Sequence, residues 1–120
     1  MIYTTYFANL RKLPKSITPI AICAGLPKGY TGLSYKKLAP KYSFFSEWKE
    51  THDNDFYIKQ FNFLVLKPLS PESVVEDLKR LSPTKDFALV CYEKPTDFCH
   101  RHIVADWLKQ NGYACEEYPN

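Results

Sequence analysis

The chain has 120 residues and a formal net charge of +3, a length that predicts a single domain. Hydrophobic residues make up 45% of the chain and aromatic residues 16%, a composition that excludes a disordered segment. No apolar run approaches the roughly 18 residues of a membrane-spanning helix, and the N-terminus has no basic start with a cleavage site. We therefore expect no membrane association and a cytoplasmic location.

The first third of the chain combines apolar segments with an unbroken positive charge. Residues 2–8 and 17–23 are rich in β-branched and aromatic side chains and are predicted to be strands. Three of the four glycines follow within residues 25–32, which indicates turns or a ligand-binding loop. Residues 1–46 contain basic residues and no acidic residue, so this part of the chain would attract an anion. A solvated lysine-rich surface is the simpler alternative.

The middle of the chain is predicted to be helical. The apolar residues of segment 56–66 fit a helix, with a short strand at 63–66 as the alternative. Ser70 followed by proline and glutamate indicates a helix start. Serine caps free amides, and proline and glutamate are both favoured in the first turn of a helix. The apolar positions that follow at helical spacing are Val74, Val75, Leu78 and Leu81.

The last third of the chain has the pattern of a βαβ unit. Residues 86–92 form a nearly continuous apolar run, typical of a central strand buried on both faces of a parallel sheet. A helix over 98–110 ends at Asn111-Gly112, and a short strand at 114–118 follows. The predicted fold is one α/β domain over residues 1–120, with three layers and a mainly parallel sheet of about four strands with flanking helices.

Reactive side chains concentrate where the predicted central strand ends and the next helix begins. Glu93 follows the strand, and Cys99, His100 and Arg101 fall in the first turn of the helix. Strand carboxyl ends and helix N-termini form the ligand crevices of open α/β sheets. We therefore predict these four as catalytic residues that meet at one site. The residues predicted to contact the ligand from the glycine-rich segment are Lys28, Tyr30, Tyr35 and Lys36.

The run CYEKPTDFCHRHIVADWL resembles the strand-loop-helix signature of the domain of unknown function family 488, in which Cys-x-Glu precedes Cys-His-Arg. The segments YFANLRKLPK and LPKGYTGLSYKKLAP extend the resemblance over nearly the whole chain. The resemblance implies a compact α/β domain and no particular reaction. The residues on which it places the family motif are Cys91, Glu93, Cys99, His100 and Arg101.

The residues leave the role of this motif open. The favoured ligand is an anionic small molecule, such as a nucleotide or phosphorylated metabolite, bound by Arg101 and the helix N-terminus. In an enzyme, Glu93 would act as general base or Cys99 as nucleophile. In a non-enzymatic alternative, Arg101 pairs with Glu93 and the motif clasps a loop. Nucleic acid is a less favoured partner, and its stacking platforms would be Tyr30, Tyr35 and Tyr42.

The cysteines are predicted to be reduced and unmetallated. Four cysteines without an export signal argue against disulfides. A zinc site would have suitable donor types but unusual spacing, so no metal and no cofactor are assigned. Cys23, Cys91 and Cys115 are interpreted as small apolar core residues. The donors of the zinc alternative would be Cys91, Glu93, Cys99 and His100.

Overall fold

The computed structural model describes all 120 residues and contains a five-stranded sheet with four α-helices. The strands are β1 (Ile2–Tyr6), β2 (Ile17–Ala21), β3 (Leu33–Ser34), β4 (Asp86–Cys91) and β5 (Cys115–Glu117). The helices are α1 (Tyr42–Thr51), α2 (Asn54–Phe61), α3 (Pro71–Leu81) and α4 (His100–Gln110). Short 3-10 segments occupy Phe7–Lys12 and Lys36–Leu38, and α2 continues into a π-helical turn at Asn62–Leu66.

All neighbouring strands are parallel, in the order β3-β2-β4-β1-β5. The prediction that residues 86–92 form the central strand is confirmed, since β4 pairs with β2 on one side and β1 on the other. The sheet has five strands where about four are predicted from the sequence. The additional strand, β3, has only two residues, which is too short to show an alternating pattern.

The direction of the crossovers produces the predicted three layers. The chain moves from β1 to β2 in one direction across the sheet, and from β3 to β4 and from β4 to β5 in the other. Right-handed crossovers therefore place α1 to α4 on one face and the 3-10 segment Phe7–Lys12 on the opposite face. The main core joins the sheet to all four helices, and its fully buried members include Ile20, Leu89, Phe61, Leu78 and Leu108.

The helix predictions are largely confirmed. Segment 56–66 is helical throughout, so the strand alternative at 63–66 is wrong. The last helix begins at His100 with Cys99 as its N-cap residue, two positions later than the predicted start. Helix α1 is not predicted from the sequence, because its apolar side consists of aromatic residues that also suit strands. No helix of the structure has both the length and the apolar character that crossing a membrane requires.

The start of α3 is stabilised by Ser70, whose hydroxyl accepts a hydrogen bond from the Ser73 amide at 3.4 Å. We expect Ser70→Ala to lower the free energy of unfolding by about 1 kcal/mol, because a first-turn amide loses its partner. Urea denaturation measures this change. Ser73→Ala is the matched control, since the backbone amide of Ser73 is the donor. Equal midpoints for the two variants would contradict the capping role.

Candidate functional site

A cavity lies where two neighbouring strands send their connections in opposite directions. The chain leaves β2 towards β3 and leaves β4 towards β5, so the carboxyl ends of β2 and β4 flank a topological switch point. In open parallel sheets, ligands bind in the crevice outside such a point. The cavity there has a volume of about 190 Å³, and its walls include Cys23, Cys91, Tyr92, Glu93 and His100.

The structure brings together three of the four residues predicted as catalytic. Glu93, Cys99 and His100 line a second, smaller cavity of about 30 Å³, whose other walls are aromatic. Glu93 and His100 therefore line both cavities. None of the five ion pairs in the structure includes Glu93, so its carboxylate is not neutralised by a cation of the chain.

His100 is buried in a defined orientation and protonation state. Its Nε2 lies 2.7 Å from the carbonyl oxygen of Ile22. The centroid of its ring lies 5.6 Å from the centroid of the Phe61 ring. A carbonyl oxygen only accepts hydrogen bonds, so Nε2 carries the proton and Nδ1 keeps its lone pair. Burial lowers the pKa of His100 to about 4. The imidazole is therefore neutral at neutral pH.

Arg101 is completely buried and lines neither cavity. Its Nε and Nη2 donate to the two carboxylate oxygens of Glu117 at 3.1 and 2.8 Å. Nη1 donates to the backbone carbonyl of Glu93 at 2.6 Å, and the guanidinium lies over the ring of Tyr6. The ionic partner of Arg101 is therefore Glu117 rather than the Glu93 carboxylate. Its links to the cavity walls are the main chain of Glu93 and the sulfur of Cys91, which lies 3.5 Å from Nη1.

The prediction that the cysteines stay reduced is wrong for one pair, because Cys91 and Cys99 form a disulfide. Cys91 is the last residue of β4, and Cys99 caps α4, so the bond closes the loop between strand and helix. Both cysteines are buried. The prediction failed because it relied on the absence of an export signal, whereas the structure joins the two sulfurs.

Cys23 and Cys115 are free and buried, and only Cys23 lies at the site. Cys23 packs with the Cys91–Cys99 pair, and its thiol donates to the carbonyl of Gly25 at 3.1 Å. Burial raises the pKa of the Cys23 thiol, Glu93 adds to the rise, and Lys36 opposes it. The interpretation of Cys23 as a small core residue is confirmed by its burial, but Cys23 also lines the cavity, which was not predicted from the sequence. Its position at the carboxyl end of the predicted strand 17–23 is the signal that could have identified it.

Tyr30 packs beside the cysteines, and its hydroxyl is held by the main chain of β3. Its ring contacts Phe7 edge to face, and its hydroxyl donates to the carbonyl of Leu33 at 2.5 Å. Lys28 is exposed in the loop between β2 and β3. Neither residue lines the cavity at the switch point.

Tyr35 and Lys36 line a different surface feature, an open groove of about 440 Å³. There the Tyr35 hydroxyl donates to Asp77 at 2.6 Å, and Asp77 also forms ion pairs with Lys37 and Arg80. The Tyr35 hydrogen bond lowers the pKa of Asp77, which keeps this carboxylate charged. The structure thus does not bring the four predicted ligand-contacting residues together, and the charges of the groove largely satisfy one another.

A count of free thiols tests the disulfide directly. We expect two reactive thiols when the protein, purified in air, is unfolded without reductant, because only Cys23 and Cys115 are free. Prior reduction should raise the count to all four cysteines of the chain. Ellman's reagent gives both numbers, and Cys115→Ala should reduce each of them by one. Four thiols before reduction would contradict the bond.

The comparison with known proteins identifies the family. A family model described as the active DUF488-N3 subclade matches residues 5–112, which include the cavity and the whole Cys-x-Glu and Cys-His-Arg motif. No curated protein and no solved structure matches the chain. The match confirms the family resemblance of the motif, and the chain belongs to the DUF488 family.

Proposed function

We propose that the protein binds the charged end of an anionic small molecule, such as a nucleotide or a phosphorylated metabolite, in the cavity between β2 and β4. The observation that carries the proposal is the position of this cavity at the switch point of the sheet, with Glu93 and His100 in its wall. Its volume of about 190 Å³ is below the roughly 300–1,000 Å³ of pockets for drug-sized ligands. The cavity therefore suits one end of a ligand.

The N-terminus of α4 supplies positive potential next to the cavity. Cys99, the N-cap residue of α4, makes no side-chain capping hydrogen bond, and the first turn contains no acidic residue. The partial positive charge of this helix end is thus not compensated by a side chain. At Cys23 in the cavity wall, Lys36 lowers the pKa of the thiol, and Glu93 has a larger effect in the opposite direction.

Within this site, Glu93 is the residue suited to proton transfer. Glu93 lines both cavities and its carboxylate belongs to no ion pair, so it is available to accept a proton from a bound molecule. His100 Nδ1 offers an additional acceptor, because Nε2 is held by Ile22. The description of the subclade as active is consistent with catalysis at these residues.

A thermal-shift screen with nucleotides and phosphorylated metabolites tests the proposal. A ligand present at 100 times its Kd is expected to add about 2.7 kcal/mol to the stability. The shift should shrink in Lys36→Met and persist in the control Lys59→Met, which changes an exposed lysine on α2. An absence of stabilisation by any anion, or equal shifts in both variants, would overturn the binding proposal.

Catalysis is tested separately with Glu93→Gln and the control Glu116→Gln, which changes an exposed residue of β5. If Glu93 is the general base, its variant should keep the ligand-induced shift and lose turnover of the stabilising compound. Full turnover in Glu93→Gln would exclude that role. Retained binding with no turnover in the wild type would favour the binding module over the enzyme.

A further inference from the structure

We propose that the reduced form of the protein binds one zinc ion through the sulfurs of Cys91 and Cys99 and the imidazole of His100, with the fourth position open to the cavity. The two thiolates and the imidazole belong to the donor types that zinc prefers. This site goes beyond anion binding and does not depend on it.

The three donors converge in the structure from two elements. Cys91 ends β4, whereas Cys99 and His100 lie at the start of α4, and all three residues are buried. The two sulfurs and one ring nitrogen of His100 lie within 4.8 Å of one another. Tetrahedral zinc with bonds of roughly 2.0–2.3 Å holds its donors about 3.5–3.8 Å apart. Side-chain rotations of Cys91 and Cys99 after cleavage of the disulfide can supply this adjustment without moving either element.

The surroundings of the donors resemble the outer shell of a metal site. His100 donates its Nε2 proton to the Ile22 carbonyl, which fixes the ring and leaves the Nδ1 lone pair for a metal. Such a hydrogen bond from the second ring nitrogen is the usual arrangement of a zinc-bound histidine. Arg101 Nη1 lies 3.5 Å from Cys91 Sγ as a donor, so its charge stabilises that sulfur as a thiolate. The charges of Zn²⁺ and two thiolates sum to zero, so the metal site would bury no net charge.

The cavity supplies the open position. Cys91 and His100 both line its wall, together with Glu93, and it has room for several water molecules. A zinc ion with three protein ligands and a bound water is the arrangement of catalytic rather than structural sites. Glu93 is then placed to take a proton from that water. Cys23, the remaining cysteine, donates to the Gly25 carbonyl and is not needed as a ligand.

The change from disulfide to metal site requires a two-electron reductant. A trialkylphosphine with water cleaves the Cys91–Cys99 bond, giving two thiols and a phosphine oxide. Binding of Zn²⁺ then forms two zinc–sulfur bonds and releases the two thiol protons. A cellular dithiol would perform the same reduction and become a disulfide itself.

Cobalt substitution of the 120-residue chain tests the site. The chain is reduced with a phosphine, the phosphine is removed under anaerobic conditions, and the protein is titrated with Co²⁺. We expect one equivalent to bind, with thiolate-to-cobalt charge-transfer bands and the strong visible bands of tetrahedral cobalt, and Zn²⁺ should displace it. The unreduced protein should show neither band, because its sulfurs are bonded to each other.

Variants assign the ligands. Cys91→Ser, Cys99→Ser and His100→Gln should each weaken cobalt binding at least tenfold, whereas Cys115→Ala and Cys23→Ala should leave it unchanged. Circular dichroism verifies that each variant is folded, and the conservative serine replacements limit packing loss. No tetrahedral cobalt spectrum in the reduced wild type, or a spectrum that survives Cys99→Ser, would overturn the zinc site. Loss of binding in Cys23→Ala would overturn the open fourth position.

Discussion

Replacing Arg101 with alanine is expected to lower the free energy of unfolding by about 3 kcal/mol, near the lower end of the range for a broken buried ion pair. The guanidinium is fully buried and donates twice to Glu117, whose side chain is 25% exposed and can regain some hydration. The Glu93 carbonyl loses its donor as well. For a chain of this size, the loss corresponds to a fall in Tm of about 10 °C. Thermal unfolding followed by circular dichroism measures it.

The matched control for this prediction is Arg80→Ala. Arg80 forms an ion pair with Asp77, and its side chain is 71% exposed. Solvent screens such a pair, so the expected change is below about 1 kcal/mol. Arg101→Lys should retain only part of the stability, because lysine lacks the fork that meets both oxygens of Glu117. Similar melting temperatures for the two alanine variants would show that Arg101 does not clasp the loop.

Replacing Phe61 with alanine is expected to lower the free energy of unfolding by about 3–5 kcal/mol, because truncation leaves a cavity in the core. The Phe61 side chain has no solvent exposure and packs against the rings of Phe44, Tyr57 and His100. Its loss also removes the packing that holds the His100 ring in place. Urea denaturation measures the change.

Phe63→Ala is the control for Phe61→Ala, since the same residue type lies two positions further along the chain. Phe63 is 62% exposed, and the ammonium of Lys67 lies over its ring. The expected change is below about 1 kcal/mol. If the two variants unfolded at the same urea concentration, the placement of Phe61 in the core and of Phe63 at the surface would be wrong.

The elements with a strong periodic signal are those that the sequence predicts well. Strand β4 is recognisable because its apolar run is buried from both faces, and α3 because Ser70, Pro71 and the following spacing agree. The proximity of Glu93 to Cys99 and His100 could also be predicted from the sequence, because the end of a strand and the start of the next helix lie close together in a parallel sheet.

Other features have no local signal. Strand β3 exists because Leu33 and Ser34 pair with Ile20 and Ala21, not because its two residues favour a strand. The partner of Arg101 is likewise decided by the sheet. β5 lies beside β1 and carries Glu117 to the buried guanidinium, a pairing across 16 residues that spacing does not indicate.

The sequence by itself determined the α/β class, the position of the central strand and the stretch that carries the reactive side chains, because these depend on local periodicity and capping. Only the tertiary structure decided which of those side chains face the cavity. In the tertiary structure, Cys91 is bonded to Cys99, Cys23 lines the cavity between β2 and β4, and Arg101 is buried and paired with Glu117. These features depend on strand order and on contacts between segments that are distant in the sequence. The free energy that stabilises them comes from packing and pairing between segments, so no single segment contains the signal.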